Sequence, residues 1–458
     1  MPNQRISELT AVTSPVSGDV LPVVNAGSTK KIAVGDLVGI RKNYSLNNLF
    51  TLDNTQGAFG CNNVFLGQKI GSNLAGTDHN ISRTNTIIGN FALSGASCAT
   101  YNIAIGQNAM RDAINKTNIG AYVAPSMYQN IVLGHNSGML LTSCRRFEYD
   151  QCGNRDYIWV SKQNIIIGGG AGNGRFAQRN IFIGAQAGSC SGYGAPDINV
   201  QAEINNASDN VFIGAYAGMC QKRGRYNIFI GRDAGRQLNY NCNNTLIGHI
   251  AASQTKRSFN TTIIGSKIAS QVVDRISYST IIGSDSFNHP ANSLIYKTIS
   301  IGSTTGKNTL SGSFDNIFIG NNIASGYALF TTLNIGFSGQ RNTIIGHCAG
   351  LKLGCSSQAA VSNDNVFLGF RSGAGNRGCR NVFIGSYANH IPANYGSVNS
   401  TAFNNSIVIG FSAQPLANNT LVLGSAIAPL STVDTAGAAA GFLVVNINGT
   451  HRKIAFNS

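Results

Sequence analysis

Charge is what this chain has least of. Only 11% of its 458 residues are Asp, Glu, Lys or Arg, against about a quarter in ordinary soluble domains. Glu occurs three times, at Glu8, Glu148 and Glu203. A chain so poor in Glu and in Ala-rich periodic runs is not expected to be helical. No run of ~18 uninterrupted apolar residues is present, so no helical membrane insertion is expected. Met1-Pro2-Asn3-Gln4-Arg5 lacks the apolar core of a secretory signal. The ten Cys include no Cys-x-x-Cys pair, which excludes a zinc knuckle or dithiol redox motif. Their irregular spacing over a long chain argues against a disulfide framework and for reduced, small apolar Cys folded in a cytoplasm. Cys144 and Cys152 share one insertion and are the pair that could close.

The acids are scarce enough to set the net charge at +15, with Lys and Arg at ordinary numbers. The balance suits an anionic surface such as lipopolysaccharide. The densest basic spots, Arg145-Arg146 and Lys222-Arg223-Gly224-Arg225, fall short of a nucleic-acid patch, so nucleic acid is not an expected partner.

Glycine (54 residues), Asn, Ser, Thr and β-branched residues dominate instead, which suits short strands separated by tight corners. They are organised as a repeat. Asn227-Ile228-Phe229-Ile230-Gly231 has near-copies ending at Gly184, Gly214, Gly320, Gly369 and Gly385. Anchored on the closing Gly, about twenty copies run from Gly67 to Gly424, most at intervals of 14 to 19 residues. Longer gaps, as from Gly134 to Gly168 and Gly385 to Gly410, read as coils with inserted loops. That period accommodates two short strands and two corners, and stacked coils build the core that one coil cannot. The expected fold is all-β: a parallel β-solenoid (β-roll) of about 20 short coils over residues 57–430, with small β modules over 1–56 and 431–458.

Four residues before the closing Gly stands Asn in thirteen copies, Ser or Thr in six and Lys116 in one. Stacked amides at equivalent corners can form a hydrogen-bonded ladder. Side chains alternate along a strand, so Ile228 and Ile230 share one face and Phe229 takes the other. The middle position is apolar in seventeen copies, the exceptions being Asn118, Ser300 and Asn334. Both faces therefore need cover. The expectation is that the flanking residues fill the coil while the middle row packs on a threefold axis. Phe182, Phe212, Phe229, Phe318, Phe367 and Phe383 are thus the candidate trimer core. A single-chain sheet buried on both faces is the alternative to this intertwined homotrimer.

Tyr101-Asn102-Ile103-Ala104-Ile105-Gly106-Gln107-Asn108-Ala109 resembles the head-domain coils of trimeric autotransporter adhesins. The resemblance implies a left-handed parallel β-roll of three intertwined chains without enzymatic activity. The sequence departs from it in its frequent middle Phe, its longer and less regular period, and its lack of that family's signal, coiled-coil stalk and membrane anchor.

Ile6–Leu9, Gly18–Val24 and Gly27–Leu37 resemble the amino-terminal modules of tailed-phage fibre and appendage proteins, cyanophage ones especially. Val20–Val24 and Lys30–Val34 read as a hairpin around Asn25–Gly27, and Asp36 as the start of a short helical turn. Gly441–Val445, Asn448-Gly449 and Lys453-Ile454 resemble the closing segment of phage fibres, read as a hairpin with a type I′ turn that caps the last coil. These resemblances imply a virion structural protein: a trimeric tail fibre or spike attached by residues 1–56, mediating host-surface adhesion. Its partners would be two further copies of itself, virion proteins, and a host-surface glycan or protein. It would be made in the host cytoplasm and displayed after lysis. A head or neck decoration fibre, or a tailspike polysaccharide depolymerase, are the alternatives.

No catalytic, cofactor or metal set is expected. The insertion Met139–Gln163 groups Glu148, Asp150 and Asp156 with Arg145, Arg146, Tyr149, Tyr157 and Trp159, the sole Trp. Loops on rigid scaffolds carry binding, and these basic and aromatic residues are the candidate receptor contact. Gly302–Asn308 has three residues between its glycines and Asn308 where a phosphate loop needs Ser or Thr. Gly168–Gly174 lacks dinucleotide spacing. His135, His249 and His347 each follow a closing Gly, where a trimer could gather three imidazoles for a metal or anion, or simply present a polar corner.

Overall fold

The structure is a computed structural model. It describes residues 20–25, 28–33, 40–43, 48–51, 62–71, 83–95, 99–112, 127–139, 144–149, 155–174, 178–189, 208–221, 223–272, 274–288, 294–307, 313–324, 339–351, 362–390, 402–429, 442–447 and 450–455. The described residues are all-β and contain no helix. The chain falls into two compact units, Met1–Ser270 and Gln271–Ser458.

In the first unit ten strands stack in parallel in chain order: Val64–Leu66, Thr86–Ile88, Ile103–Ile105, Ile131–Leu133, Ile165–Ile167, Ile181–Ile183, Val211–Ile213, Ile228–Ile230, Thr245–Ile247 and Thr262–Ser266. In the second unit eight do so: Thr280–Ser284, Ile299–Ser303, Ile317–Ile319, Thr343–Ile345, Val366–Leu368, Val382–Ile384, Ile407–Ile409 and Leu421–Leu423. Register is in step throughout, so Phe229 lies between Phe212 and Leu246. Strands that pair with the copies before and after them, through one turn of chain each, make a β-solenoid. The strands flanking the longer gaps also pair directly: Leu133 with Ile167, and Ile384 with Ile409. Inserted chain leaves the ladder unbroken.

A second, shorter ladder forms another side of the coil. Arg223–Arg225, Tyr240–Cys242 and Arg257–Phe259 pair in parallel in the first unit. Arg275–Ser277, Leu294–Tyr296 and Ser313–Phe314 do so in the second. Tyr226 (φ 57) turns the chain from this ladder into the main strand, and Gly231 (φ 125) turns it out again. Two glycine-specific reasons meet at Gly231. Among the described residues no non-Gly residue with positive φ passes 68°, and a Cβ there would lie 2.4 Å from the Gly248 carbonyl oxygen of the next rung.

The expected copies closing at Gly120 and Gly336 lie outside the described residues; Ile103–Ile105 pairs directly with Ile131–Leu133, and Ile317–Ile319 with Thr343–Ile345. Ser300, a polar middle residue, sits on a rung. Its buried hydroxyl bonds Thr305, whose Oγ1 lies 2.9 Å from Ser286 Oγ.

The core reverses the expected assignment of faces. Phe182, Phe212, Phe229, Phe318, Phe367 and Phe383 are 0% exposed within a single chain. They stack inside the coil: Phe212 and Phe229 have ring centroids 4.7 Å apart and planes within 9°. These phenylalanines are not the rows left for a partner. The reason lies in the turn after the closing Gly, which brings Ala234 and Leu238 (both 0% exposed) over the middle residue. The coil thus encloses the face that carries one large ring and leaves the two flanking aliphatics outside. Burial of each ring contributes about 1.5–3 kcal/mol.

The expected amide ladder is present. Asn227 Oδ1 accepts from the Asn244 backbone N–H (3.2 Å) and from Asn244 Nδ2 (2.9 Å). Asn227 Nδ2 donates to Asn210 Oδ1 at 2.9 Å and to Asn241 Oδ1 at 2.6 Å. The same pattern links Asn63 through Asn244 in the first unit and Asn316 through Asn381 in the second. Each amide is buried and satisfied, as a low-dielectric interior requires. Where the copy carries Thr or Ser, as at Thr261 and Ser406, only the backbone N–H takes the preceding oxygen.

The amino-terminal hairpin forms as expected, Val20–Asn25 against Ser28–Ala33. So does the carboxy-terminal one, Phe442–Ile447 against Thr450–Ala455. Asp36 lies outside the described residues. A further hairpin, Ile40–Asn43 with Asn48–Thr51, was not foreseen. Its second strand pairs in parallel with Val64–Leu66, so the ladder begins inside residues 1–56. Asn48-Leu49-Phe50-Thr51 fits the repeat but lacks its closing Gly.

Candidate functional surfaces

The turn that encloses Phe229 leaves Ile228 41% exposed and Ile230 half-buried. The same holds at every rung. In the first unit the two outward positions of all ten strands carry Val, Leu or Ile, except Thr86, Thr245 and Thr262. In the second unit the exceptions are Thr280 and Thr343. No outward position in either unit is charged. Ten rungs at ~4.8 Å make the first unit's strip about 45 Å long. A contiguous apolar patch of that kind is rare on a monomer and marks an interaction site.

The other sides are polar, with ion pairs at some corners. Arg179 Nε lies 2.5 Å from Asp209 Oδ1, and Arg341 Nε lies 2.6 Å from Asp364 Oδ1, each pair on exposed corners of adjacent rungs. The hydrogen bonds from Arg341 hold the Asp364 carboxyl below its usual range. Such surface pairs contribute about 0–1 kcal/mol.

The candidate receptor-contact residues fall on an inserted antiparallel hairpin, Cys144–Tyr149 with Arg155–Lys162. Ser161 and Lys162 at its end pair in parallel with Met127 and Tyr128, which pair in turn with Ala99 and Thr100. The register sets Arg145 opposite Trp159, Phe147 opposite Tyr157 and Tyr149 opposite Arg155. Arg145, Tyr149, Tyr157 and Trp159 therefore share one parity of the hairpin, and Arg146 takes the other. Glu148 stands opposite Asp156. Asp150 and Cys152 lie outside the described residues.

The glycine-rich stretches are corners. Gly302 (φ 136) and Gly306 (φ 59) turn one coil, and Lys307 Nζ is held 2.7 Å from Asp285 Oδ2. Gly168, Gly170 and Gly172 turn another. His135 and His249 are both exposed, on rungs that are not neighbours, and His347 is exposed in the second unit. Among the described residues no three His, Cys, Asp or Glu are gathered so as to hold a metal.

One cluster escaped the sequence reading. In the second unit His347, Phe370 and Phe411 directly follow closing glycines, and Tyr387 stands two residues after Gly385, on four successive rungs with Arg371 beside them. The position directly after the closing Gly holds Gln, Asn, Ser or Ala in most other copies. Comparison of the chain with protein-family models, with curated proteins and with solved structures gives no match.

Proposed function

We propose that this chain is a non-enzymatic structural protein of a tailed-phage virion. In this reading it is a homotrimeric fibre or spike that docks through residues 1–56 and adheres to a host surface. The observation that carries the trimer is the uncharged aliphatic strip on the outward face of the main ladder. Its two outward positions, aliphatic or Thr and never charged, recur at every rung, so the partner it fits best repeats at the same interval, which another copy of the chain does. Three such sheets facing one axis bury all three strips. The resemblance of Ile6–Leu9, Gly18–Val24, Gly27–Leu37 and Gly441–Val445 to phage fibre segments supports the virion assignment. The inserted hairpin with Arg145, Arg146, Tyr149, Tyr157 and Trp159 is the proposed receptor contact.

Sedimentation equilibrium tests the assembly. A trimer of the 48.1 kDa chain has a mass of about 144 kDa (3 × 48.1). A 48.1 kDa species at micromolar concentration refutes it. Immunogold labelling of virions tests the location, and absence of label from the particle sinks the virion reading.

A further inference from the structure

The aromatic row of the second unit has the character of a ligand site that the fibre reading does not use. His347, Phe370, Tyr387 and Phe411 follow one another along adjacent rungs, with ring centroids 5.5, 5.1 and 5.9 Å apart. Phe411 is 44% exposed, His347 is exposed, and Phe370 and Tyr387 are half-buried. Among the described residues other exposed rings occur in pairs at most, as Tyr101 with Tyr128 and Tyr278 with Tyr296, whereas here four rings run over four successive rungs.

The Arg371 guanidinium lies in the middle of the row, 5.3 Å from the Phe370 centroid and 5.9 Å from that of Tyr387. Arg179 and Arg341 each hold an Asp, whereas Arg371 has no ion-pair partner among the described residues. Its Nε is buried without a hydrogen-bond partner. Beside Tyr387, at 5.2 Å between ring centroids, stands His390, 8% exposed, with Nδ1 also unpartnered. Buried polar atoms ordinarily find partners. Here a guanidinium donor and an imidazole nitrogen both lack a partner beside a line of half-exposed rings.

We propose that this row binds an oligosaccharide whose sugar rings carry carboxylates. The apolar faces of pyranose rings pack on Phe370 and Phe411. The guanidinium of the half-buried Arg371, a planar fork suited to carboxylate, takes the acid group. Rings repeated once per rung suit a ligand that is itself a repeating chain. The inference does not depend on the virion assignment or on the trimer.

Isothermal titration of the full chain with hexagalacturonate, a hyaluronan hexasaccharide, maltohexaose and a dT oligonucleotide tests it. We expect saturable binding of at least one uronate probe, at least tenfold tighter than the neutral hexaose. Phe411→Ala, at an exposed position, should weaken that binding at least tenfold with an unchanged melting temperature. Arg371→Gln should abolish the preference for uronate over neutral sugar. The proposal is overturned if neither uronate binds, if the neutral hexaose binds equally, if dT binds tightest, or if Phe411→Ala binds as the parent does.

Discussion

A Cβ added to Gly235 would lie 2.5 Å from Cε2 of Phe229 in the same coil. The ring fills the space that a side chain would need, and the pairing recurs. Phe212 sits against Gly218 and Phe367 against Gly373, both at 2.4 Å. Beside some smaller middle residues the slot carries a side chain: Leu246 goes with Ala252, Ile263 with Ala269 and Ala104 with Met110, whereas Val132, Ile166 and Ile344 stand with Gly138, Gly172 and Gly350, and Phe318 with Ala324. Backbone angle does not decide this, since Ala252 (φ 50) and Ala269 (φ 48) adopt the same conformation as Gly235 (φ 62). At Phe212, Phe229 and Phe367 the ring takes the volume that a side chain in the slot would need.

Gly235→Ala is therefore expected to destabilise the chain by about 1–3 kcal/mol, the range for overpacking a core. Phe229→Leu in the same chain should recover part of that loss, because it recreates the Leu246/Ala252 arrangement. Urea denaturation of the two single variants and the double variant measures the coupling, expected at about 0.5 kcal/mol or more. Additive effects would refute volume compensation.

Asn227→Ala removes four buried hydrogen bonds. The Asn244 backbone N–H loses its acceptor, while Asn210 Oδ1, Asn241 Oδ1 and Asn244 Nδ2 each keep one other partner. One stranded buried donor costs about 1–3 kcal/mol, and a loss of at least that size is expected. Asn227→Thr should cost less, since Thr261 already ends such a ladder by donating its backbone N–H to Asn244 Oδ1 at 3.1 Å. Equal losses from the two substitutions in thermal denaturation would contradict this ranking.

The ladder and the solenoid were legible because each rests on a local rule repeated many times. Asn at Gly−4, Gly at a corner that only Gly adopts, and an apolar triplet recur at one interval. Which face of the triplet enters the coil was not legible. Alternation states that Phe229 opposes Ile228 and Ile230, but the enclosing turn decides the side, and its contribution is only Ala234, Gly235 and Leu238. Reading Phe against Gly four residues past the closing Gly would have revealed it. The row at Phe370, Tyr387 and Phe411 was hidden because its members come from different copies and meet only when the rungs stack.

His390 links stability to pH. Burial, reinforced by the positive charge of Arg371, holds its pKa below the ordinary value, which is about 6.5. The unfolded chain then binds a proton that the folded chain refuses. This contribution is complete above pH ~6.5 and is lost as pH falls from there towards the lower folded value, at most about 1.4 kcal/mol per pH unit. The melting temperature should thus fall between pH 7.5 and 5.5, and His390→Gln should flatten that dependence. An unchanged slope in the variant would show that other groups set it.

The outward strip and the coil interior make opposite predictions for neighbouring residues of one strand. Ile228→Asp with Ile230→Asp alters only the outer face, so each chain should keep its β-sheet circular dichroism. A trimer would have to bury six carboxylates at that rung, and unpaired buried charge is prohibitive. Its mass should therefore drop from about 144 kDa to 48.1 kDa. Phe229→Ala should do the reverse, lowering unfolding stability by about 3–5 kcal/mol while leaving the folded material assembled. Tyr226→Asp, at a 60% exposed corner beside the same strand, should change neither. Sedimentation and denaturation on the three variants separate the faces. If the Ile228/Ile230 variant keeps the parent's mass, the strip is not where the copies meet.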